Sequence, residues 1–182
     1  MECIAICNCS IDDGEPFEDF VATLNRDSVA ALNTLDVHGN NIGGSGCAAL
    51  TKMLINPCCE LKALHLKNNI INDEEIASLA FGLAQNEKLE SLDIAKENPI
   101  TNQGWATISK ILCNTKAIND TFSSNHSLKS LGQERHDTRI SERINLPRDL
   151  ISHLELNGKS NIDEKPFAPI QKILDNHHDW NM

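Results

Sequence analysis

The sequence predicts an α/β fold, a right-handed solenoid shaped as a short horseshoe. Parallel strands form its concave face, helices form its convex face, and a helical segment caps the C-terminal end. Three observations predict it: a pattern that recurs at a fixed step, a switch from strand to helix spacing inside each copy, and an aliphatic composition. Of the 182 residues 40% are hydrophobic, but only 4% are aromatic and Tyr is absent. Aliphatic side chains suit thin stacked layers.

Three segments share the pattern L-x-x-L-x-L-x-x-N-x-I. Its positions are occupied in turn by Leu32, Leu35, Val37, Asn40 and Ile42; by Leu61, Leu64, Leu66, Asn69 and Ile71; and by Leu89, Leu92, Ile94, Asn98 and Ile100. The third copy carries one inserted residue before its Asn. The asparagines follow one another at steps of 29 residues.

The second half of each copy has apolar residues at spacings of three and four, which mark one face of a helix. They are Cys47, Leu50 and Leu54, then Ile76, Leu79 and Leu83, then Trp105, Ile108 and Leu112. Helix starts are indicated by Ser45, by Asn72 with Glu75, and by Thr101 or Asn102. Each unit is therefore a short strand, a turn and an amphipathic helix.

A fourth unit precedes these three. Its strand half contains Ile4, Ile6, Cys9 and Ile11, and its helix half contains Phe17, Phe20 and Leu24. The four units together resemble the leucine-rich-repeat family, in particular the long repeats of ribonuclease inhibitor and the Ran GTPase-activating protein. The resemblance implies that Cys can replace Asn at the turn, so that Cys9, Asn40, Asn69 and Asn98 form one structural ladder.

The repeat array is predicted over residues 1–132, with about four clear repeats and a degenerate terminal one. A helical cap is expected over 133–176 and a flexible tail over 177–182. After Leu112 two registers compete. In one, Ala117, Phe122 and Asn125 continue the step; in the other, 125–131 copies 86–92 and 114–124 is an inserted loop. The second is favoured because it keeps Asp120 out of the core.

Met1 falls at the first position of a repeat, without a recognisable capping segment. Solenoids need polar caps for solubility, because an end coil otherwise leaves apolar surface uncovered. The sequence therefore predicts either repeats missing at the N-terminal edge or an edge covered by a partner or a second copy of the chain.

Composition argues against two classes of partner. The net charge is −10 and the chain has no basic cluster that would neutralise phosphates, so nucleic acid is not expected. Its apolar stretches are far shorter than the roughly 20 residues that span a bilayer, and a secretion signal is not recognisable, so no membrane partner is expected. These features predict a soluble cytoplasmic protein whose seven cysteines are reduced.

Alternate strand residues should point out of the concave face. One row across the strands reads Ala5, Asp36, His65 and Asp93, and the next reads Cys7, His38, Lys67 and Ala95. A His between two carboxylates is suited to acid–base chemistry or metal binding. However, no nucleophile adjoins His65, an open sheet does not exclude water, and alternating charges are expected on a solvated sheet. No catalytic residue and no cofactor are therefore predicted.

The thiols of Cys3, Cys7 and Cys9 resemble a metal-ligand spacing only loosely. Strand geometry directs Cys3 and Cys7 to the surface and turns Cys9 into the ladder, so the three should not converge as a tetrahedral site requires. No metal site is predicted.

The predicted function is a non-catalytic protein–protein interaction module or scaffold that binds a partner protein on its concave face. The expected contact residues are Asp36, His38, His65, Lys67 and Asp93. Curved solenoids present extended binding surfaces of this kind. Two alternatives stay open. The resemblance to the Ran GTPase-activating protein implies a regulator of a small GTPase, and the repeat alone is also consistent with a structural segment of a larger repeat protein.

Overall fold

The computed structural model of the chain describes residues 3–27, 32–94, 97–112, 125 and 127–131. The cap predicted over 133–176 and the tail predicted over 177–182 lie outside the described residues, as does Ala95. The predicted array over 1–132 is therefore described for most of its length.

Strands and helices alternate along the described chain. The elements are β1 (Cys3–Ala5), α1 (Glu15–Asp27), β2 (Thr34–Asp36), α2 (Gly44–Leu54), β3 (Ala63–His65), α3 (Asp73–Gln85), β4 (Ser91–Asp93), α4 (Asn102–Leu112) and β5 (Ser130–Leu131). The strands form one parallel sheet in chain order, and each helix packs against the next. This is the leucine-rich-repeat solenoid that the sequence predicts.

The register of the sheet follows the repeat. Leu35 pairs with Leu64 and Leu64 with Leu92, so equivalent leucines stack from coil to coil. At the C-terminal side Leu92 pairs with Leu131, which confirms the second of the two registers considered after Leu112. Residues 113–124 lie outside the described residues.

The aliphatic repeat positions form a continuous core. Those with buried side chains include Leu32, Leu35, Val37, Ile42, Leu61, Leu64, Leu66, Ile71, Leu89, Leu92 and Ile94 from the strand halves, and Cys47, Leu50, Leu54, Ile76, Leu79, Leu83, Trp105 and Ile108 from the helix halves. Each coil buries its apolar strand and helix faces against its neighbours. The stability of one coil therefore depends on the next.

The asparagines at the turn after each strand connect neighbouring coils through their side chains. Asn69 Nδ2 donates to Leu66 O in its own coil at 2.9 Å and to Val37 O in the preceding coil at 3.2 Å. Its Oδ1 accepts from the amide of Ile42 at 3.1 Å.

The same arrangement recurs at Asn40 and Asn98, each of which serves its own coil and the one before it. Cys9 occupies the equivalent position in the first coil, where its exposed thiol lies 3.3 Å from Cys7 O.

A left-handed residue precedes each ladder position. These residues are Asn8, Gly39, Asn68 and Glu97, with φ between 53° and 69°. Gly and Asn adopt this conformation readily, whereas Glu does so at a cost. The inserted residue in the fourth coil thus places a poorly suited side chain at a turn that the other coils build from Asn or Gly.

A second set of asparagines closes the helix ends. Asn86 Nδ2 donates to Leu54 O of the preceding coil at 2.8 Å, while its Oδ1 accepts from the amides of Lys88 and Leu89. Asn125 repeats this pattern one coil later, with Leu83 O as acceptor. The likeness between 125–131 and 86–92 therefore reflects a shared inter-coil contact.

The predicted helix starts are correct in two coils and wrong in one. Asn72 and Glu75 form the expected capping box, and Thr101 Oγ1 accepts from the amide of Gln103. Ser45 does not cap α2, which begins one residue earlier and has no cap from its own side chains.

The start of α2 is capped by the preceding coil instead. The carboxylate of Asp13 accepts from the amides of Ser45 at 3.0 Å and Gly46 at 2.6 Å. Gly46 is required at this close approach, because a Cβ there would lie 2.7 Å from an Ile42 side-chain carbon and 2.9 Å from Asp13 Oδ1. Asp73 makes a related contact two coils later, where its carboxylate accepts from the amide of Thr101, the residue before α4, at 2.8 Å.

We predict that Asn69→Ala lowers the free energy of unfolding by about 1–3 kcal/mol, because buried backbone groups of two coils lose their partners. Asn33→Ala is the matched control, since Asn33 is exposed, and should change stability by no more than about 0.5 kcal/mol. Urea melts of both variants measure the difference. Equal stability of the two would contradict the structural role of Asn69.

We predict that Asp13→Ala lowers the free energy of unfolding by about 1 kcal/mol, which is the usual effect of removing a helix cap. Burial by itself would raise the pKa of Asp13, but hydrogen bonds from the amides of Gly46, Ser45 and Gly43 outweigh it and lower the pKa. The stabilisation is therefore present above the unfolded pKa of about 3.9 and is lost as pH falls through the lower folded value.

Urea melts at neutral and acidic pH measure this effect, with Asp19→Ala on the exposed surface of α1 as control. A difference between the variants that persisted below the folded pKa of Asp13 would refute the charge-dependent cap.

Candidate functional site

The candidate site is the polar part of the concave sheet face, built from β2, β3 and the residues that follow them. Asp36 pairs with His65, and His65 pairs with Asp93, so the predicted row is present with the predicted register. His38 and Lys67 lie two residues further along their strands, on the same face. Val37 lies between Asp36 and His38, Leu66 lies between His65 and Lys67, and both are fully buried in the core.

Asp93 holds the centre of one cluster. Its Oδ2 lies 3.5 Å from Lys67 Nζ and 3.7 Å from His65 Nδ1. Both separations are those of ion pairs rather than of short hydrogen bonds. One carboxylate thus faces two basic groups from the neighbouring strand.

The pKa values of this cluster follow from those contacts. The Asp93 carboxylate raises the pKa of His65 above its ordinary value, with help from the charge of Asp36, while burial and Lys67 act in the opposite direction. Burial would raise the pKa of Asp93, but His65 and Lys67 together hold it below its usual range. The cluster therefore favours a charged imidazole beside a charged carboxylate.

Asp93 is more enclosed than the sequence analysis expected of a contact residue. Its side chain is 13% exposed, against 33% for His65 and 30% for Lys67. The reason is that the two basic side chains lie against it. The expected exposure of Asp93 is therefore wrong, whereas its contact with a partner protein stays a prediction.

A second cluster joins the first two coils. Asp36 Oδ1 lies 2.8 Å from His38 Nδ1 and accepts from the His38 amide at 3.2 Å. The thiol of Cys7 points at Asp36 O at 3.6 Å. One ligand atom from each of Cys7, Asp36 and His38 lies within 4.8 Å of the others, and all three residues are half-buried.

Burial and hydrogen bonding shift the pKa values of Asp36 and Cys7 in opposite directions. Burial would raise the pKa of Asp36, but the side-chain and backbone hydrogen bonds of His38 and the thiol of Cys7 lower it. Burial raises the pKa of the Cys7 thiol, and the neighbouring Asp36 and Cys9 raise it further. The contacts of this cluster therefore favour the ionised form of Asp36 and the protonated form of Cys7.

The sequence places Cys7 beside His38 in one row of the concave face, but the spacing of Cys7 with Cys3 and Cys9 does not predict the grouping of Cys7 with Asp36 and His38. The repeat register could have predicted this grouping, because it places Cys7 opposite His38 and diagonal to Asp36 on the neighbouring strand. Side chains from adjacent strands at such diagonal positions are within reach of one another.

Further ion pairs lie near the strand starts. Glu90 lies 2.6 Å from Lys129 and 4.0 Å from Lys62, and Lys88 lies 3.3 Å from Glu60. These side chains are about two-fifths exposed, so each pair contributes little to stability. They extend a surface that alternates in charge.

Among the described residues, no helix has both the length and the apolar character needed to cross a bilayer. That finding agrees with the short apolar stretches of the sequence.

Comparison with known proteins supports the repeat fold. No protein-family model matches the chain. The chain is 31% identical over 128 residues to the mouse protein "NACHT, LRR and PYD domains-containing protein 4C"; the match covers 70% of this chain and 11% of that protein. The chain thus spans only a small part of this relative.

Two solved structures resemble the fold. Leiomodin-1 actin-binding site 2 gives a TM-score of 0.65 at 17% sequence identity, covering 97% of this chain and 90% of that one. The tropomodulin C-terminal domain of Caenorhabditis elegans gives 0.59 at 13% identity, covering 87% and 85%. At these identities the likeness concerns the fold. It does not single out the ribonuclease-inhibitor type.

We predict that Asp93→Asn lowers the pKa of His65, because the carboxylate is the main cause of its raised value. Asp36→Asn should lower it less, and Lys67→Gln should raise it. Because the folded pKa is raised, the stability from His65 is fully present below the unfolded value of about 6.5 and is lost as pH rises through the folded value. NMR titration of the His65 ring measures each pKa; an unchanged value in Asp93→Asn would show that the contact is not formed.

Proposed function

We propose that the chain is a non-catalytic protein-interaction module that binds a partner protein on its concave face. The proposed contact residues are Asp36, His38, His65, Lys67 and Asp93, of which Asp93 also pairs with His65 and Lys67. The observation that carries the proposal is that four partly exposed polar side chains stand in two adjacent rows on a rigid parallel sheet. We assign the repeats to the ribonuclease-inhibitor type on their step of 29 residues.

The charges of the two rows indicate what the partner surface should present. Asp36 offers an anion beside the first coil, whereas His65 and Lys67 offer basic groups one coil further along. A partner with a basic group facing Asp36 and an acidic group about one strand spacing away, roughly 5 Å, would complement both. Mixed charges of this kind provide specificity more than affinity.

Rigidity of the row supports recognition rather than catalysis. The backbone of each contact residue is hydrogen-bonded to the neighbouring coil, as in the pairs Val37 N to His65 O and Gly39 N to Lys67 O. A preformed surface loses little conformational entropy on binding, and an open sheet leaves water in contact with these groups. We accordingly propose that the chain is not an enzyme. We also propose that it acts in the cytoplasm.

The similarity to leiomodin-1 actin-binding site 2 makes actin the first defined protein to test. Cosedimentation measures binding to actin filaments, and a pull-down measures binding to actin monomers. Affinity capture from a cell extract, followed by mass spectrometry, covers partners of other identities.

The test of the concave face compares two triple variants, each of which removes one carboxylate and one lysine. One carries Asp36→Asn, His65→Gln and Lys67→Gln; the control carries Lys52→Gln, Glu74→Gln and Gln85→Ala on exposed helix positions. The concave variant should lose a partner that wild type and control both capture, with a decrease in affinity of about tenfold or more.

Far-UV circular dichroism and a urea melt establish that both variants are folded. Retention of every partner by the concave variant would refute the proposed surface. Loss in the helix variant alone would place binding on the convex side.

A further inference from the structure

We propose that Cys7, Asp36 and His38 form a binding site for one zinc-class divalent cation at the junction of the first two coils. The proposal concerns the isolated chain and does not depend on any protein partner. It assigns a ligand role to a thiol that the proposed recognition surface does not use.

The spacing of the three side chains fits a small cation. Their ligand atoms lie within 4.8 Å of one another. Zinc bonds of about 2.0–2.3 Å in a tetrahedral arrangement place ligand atoms about 3.3–3.8 Å apart. Small side-chain rotations would therefore bring the three atoms around one centre without moving the strands.

The chemistry of the ligand set favours zinc over the hard cations. A thiolate, a carboxylate and an imidazole are all common zinc ligands, whereas calcium and magnesium prefer oxygen alone. Ionised Cys7 and Asp36 would carry two negative charges, which match the two positive charges of the metal. Within the part of the chain that the structure describes, no second set of three such ligand atoms lies as close together.

The backbone beneath the site is already ordered. The amide of Ile6 donates to Asp36 O at 2.8 Å, and the amide of Asn8 donates to His38 O at 3.0 Å. The Asn40 side chain donates to Ile6 O at 2.8 Å from below. These bonds fix the two coils in the register that brings the ligands together. Metal binding therefore loses no further conformational entropy in ordering the backbone.

The imidazole also has a partner for its second nitrogen. His38 Nδ1 faces the Asp36 carboxylate, while Nε2 lies 3.3 Å from the side-chain amide of Asn8. With Nδ1 on the metal, Nε2 carries the hydrogen, and Asn8 with its amide turned accepts it. Such an outer contact fixes the ring orientation that a ligand needs. A water molecule would supply the fourth ligand, because all three residues are partly exposed.

The experiment titrates zinc into the reduced full-length chain against a fluorescent zinc chelator. Wild type should bind one zinc ion with a dissociation constant in the micromolar range or tighter. Cys7→Ser, His38→Gln and Asp36→Asn should each weaken binding tenfold or more, whereas Cys58→Ser, which removes another exposed thiol, should leave it unchanged. Titration with Co²⁺ gives a second readout, because a thiolate ligand produces an absorption band that Cys7→Ser must abolish.

Two results would overturn the proposal. One is a wild-type chain that fails to compete with the chelator at micromolar zinc. The other is loss of binding in Cys9→Ser or Cys58→Ser together with unchanged binding in His38→Gln, which would show that surface thiols hold the metal. Circular dichroism of each variant identifies unfolding, and the Co²⁺ band of His38→Gln and Asp36→Asn then reports on Cys7 independently. Because no partner protein is present, failure of concave-face recognition would not affect either outcome.

Discussion

The side-chain amides of Asn40, Asn69 and Asn98 satisfy the backbone at the turn after each strand, and the rest of the structure depends on them. Each amide serves two coils at once, accepting from an amide of the preceding coil and donating to carbonyls of both. A buried turn would otherwise carry unpaired polar groups. Because the side chain reaches only one coil away, it sets both the distance and the register between coils.

That register places the polar groups of the concave face. With Leu35, Leu64 and Leu92 stacked in the core, the residues beside them must stack on the outside. His65 therefore lies between Asp36 and Asp93, and Cys7 lies against Asp36 and His38. A shift of one residue in any coil would exchange the buried and exposed faces of its strand. The proposed recognition surface and the proposed metal site are thus both consequences of the same stacking.

Much of this arrangement was predictable from the sequence because the repeat fixes which residues are equivalent. The strands, the ladder, the helix halves and the register through Leu131 follow from aligning the copies. The contacts that were missed run between coils, off the aligned rows. Asp13 reaches forward to cap α2, so Ser45 is left without the role its local sequence indicates.

Two properties of the candidate site could not be predicted by aligning the repeats, because they too depend on contacts between coils. The enclosure of Asp93 depends on how Lys67 and His65 fold over it, and this depends on side-chain conformation. Cys7 and His38 share a row, but their grouping with Asp36 depends on a diagonal contact between neighbouring strands. Alignment of the repeats shows which residues share a row. Ion pairs and metal sites depend on the distances between side chains in three dimensions, including those between different rows.

Hydrogen exchange of the amides of Ile42 and Ile71 tests the central role of the ladder most directly. These amides lie outside the strands and donate to the side chains of Asn69 and Asn98, respectively. The account predicts protection comparable to that of the amides of Val37 and Leu66, which bond to backbone carbonyls across the sheet. Exchange of Ile42 and Ile71 at the rate of an unstructured loop would contradict it.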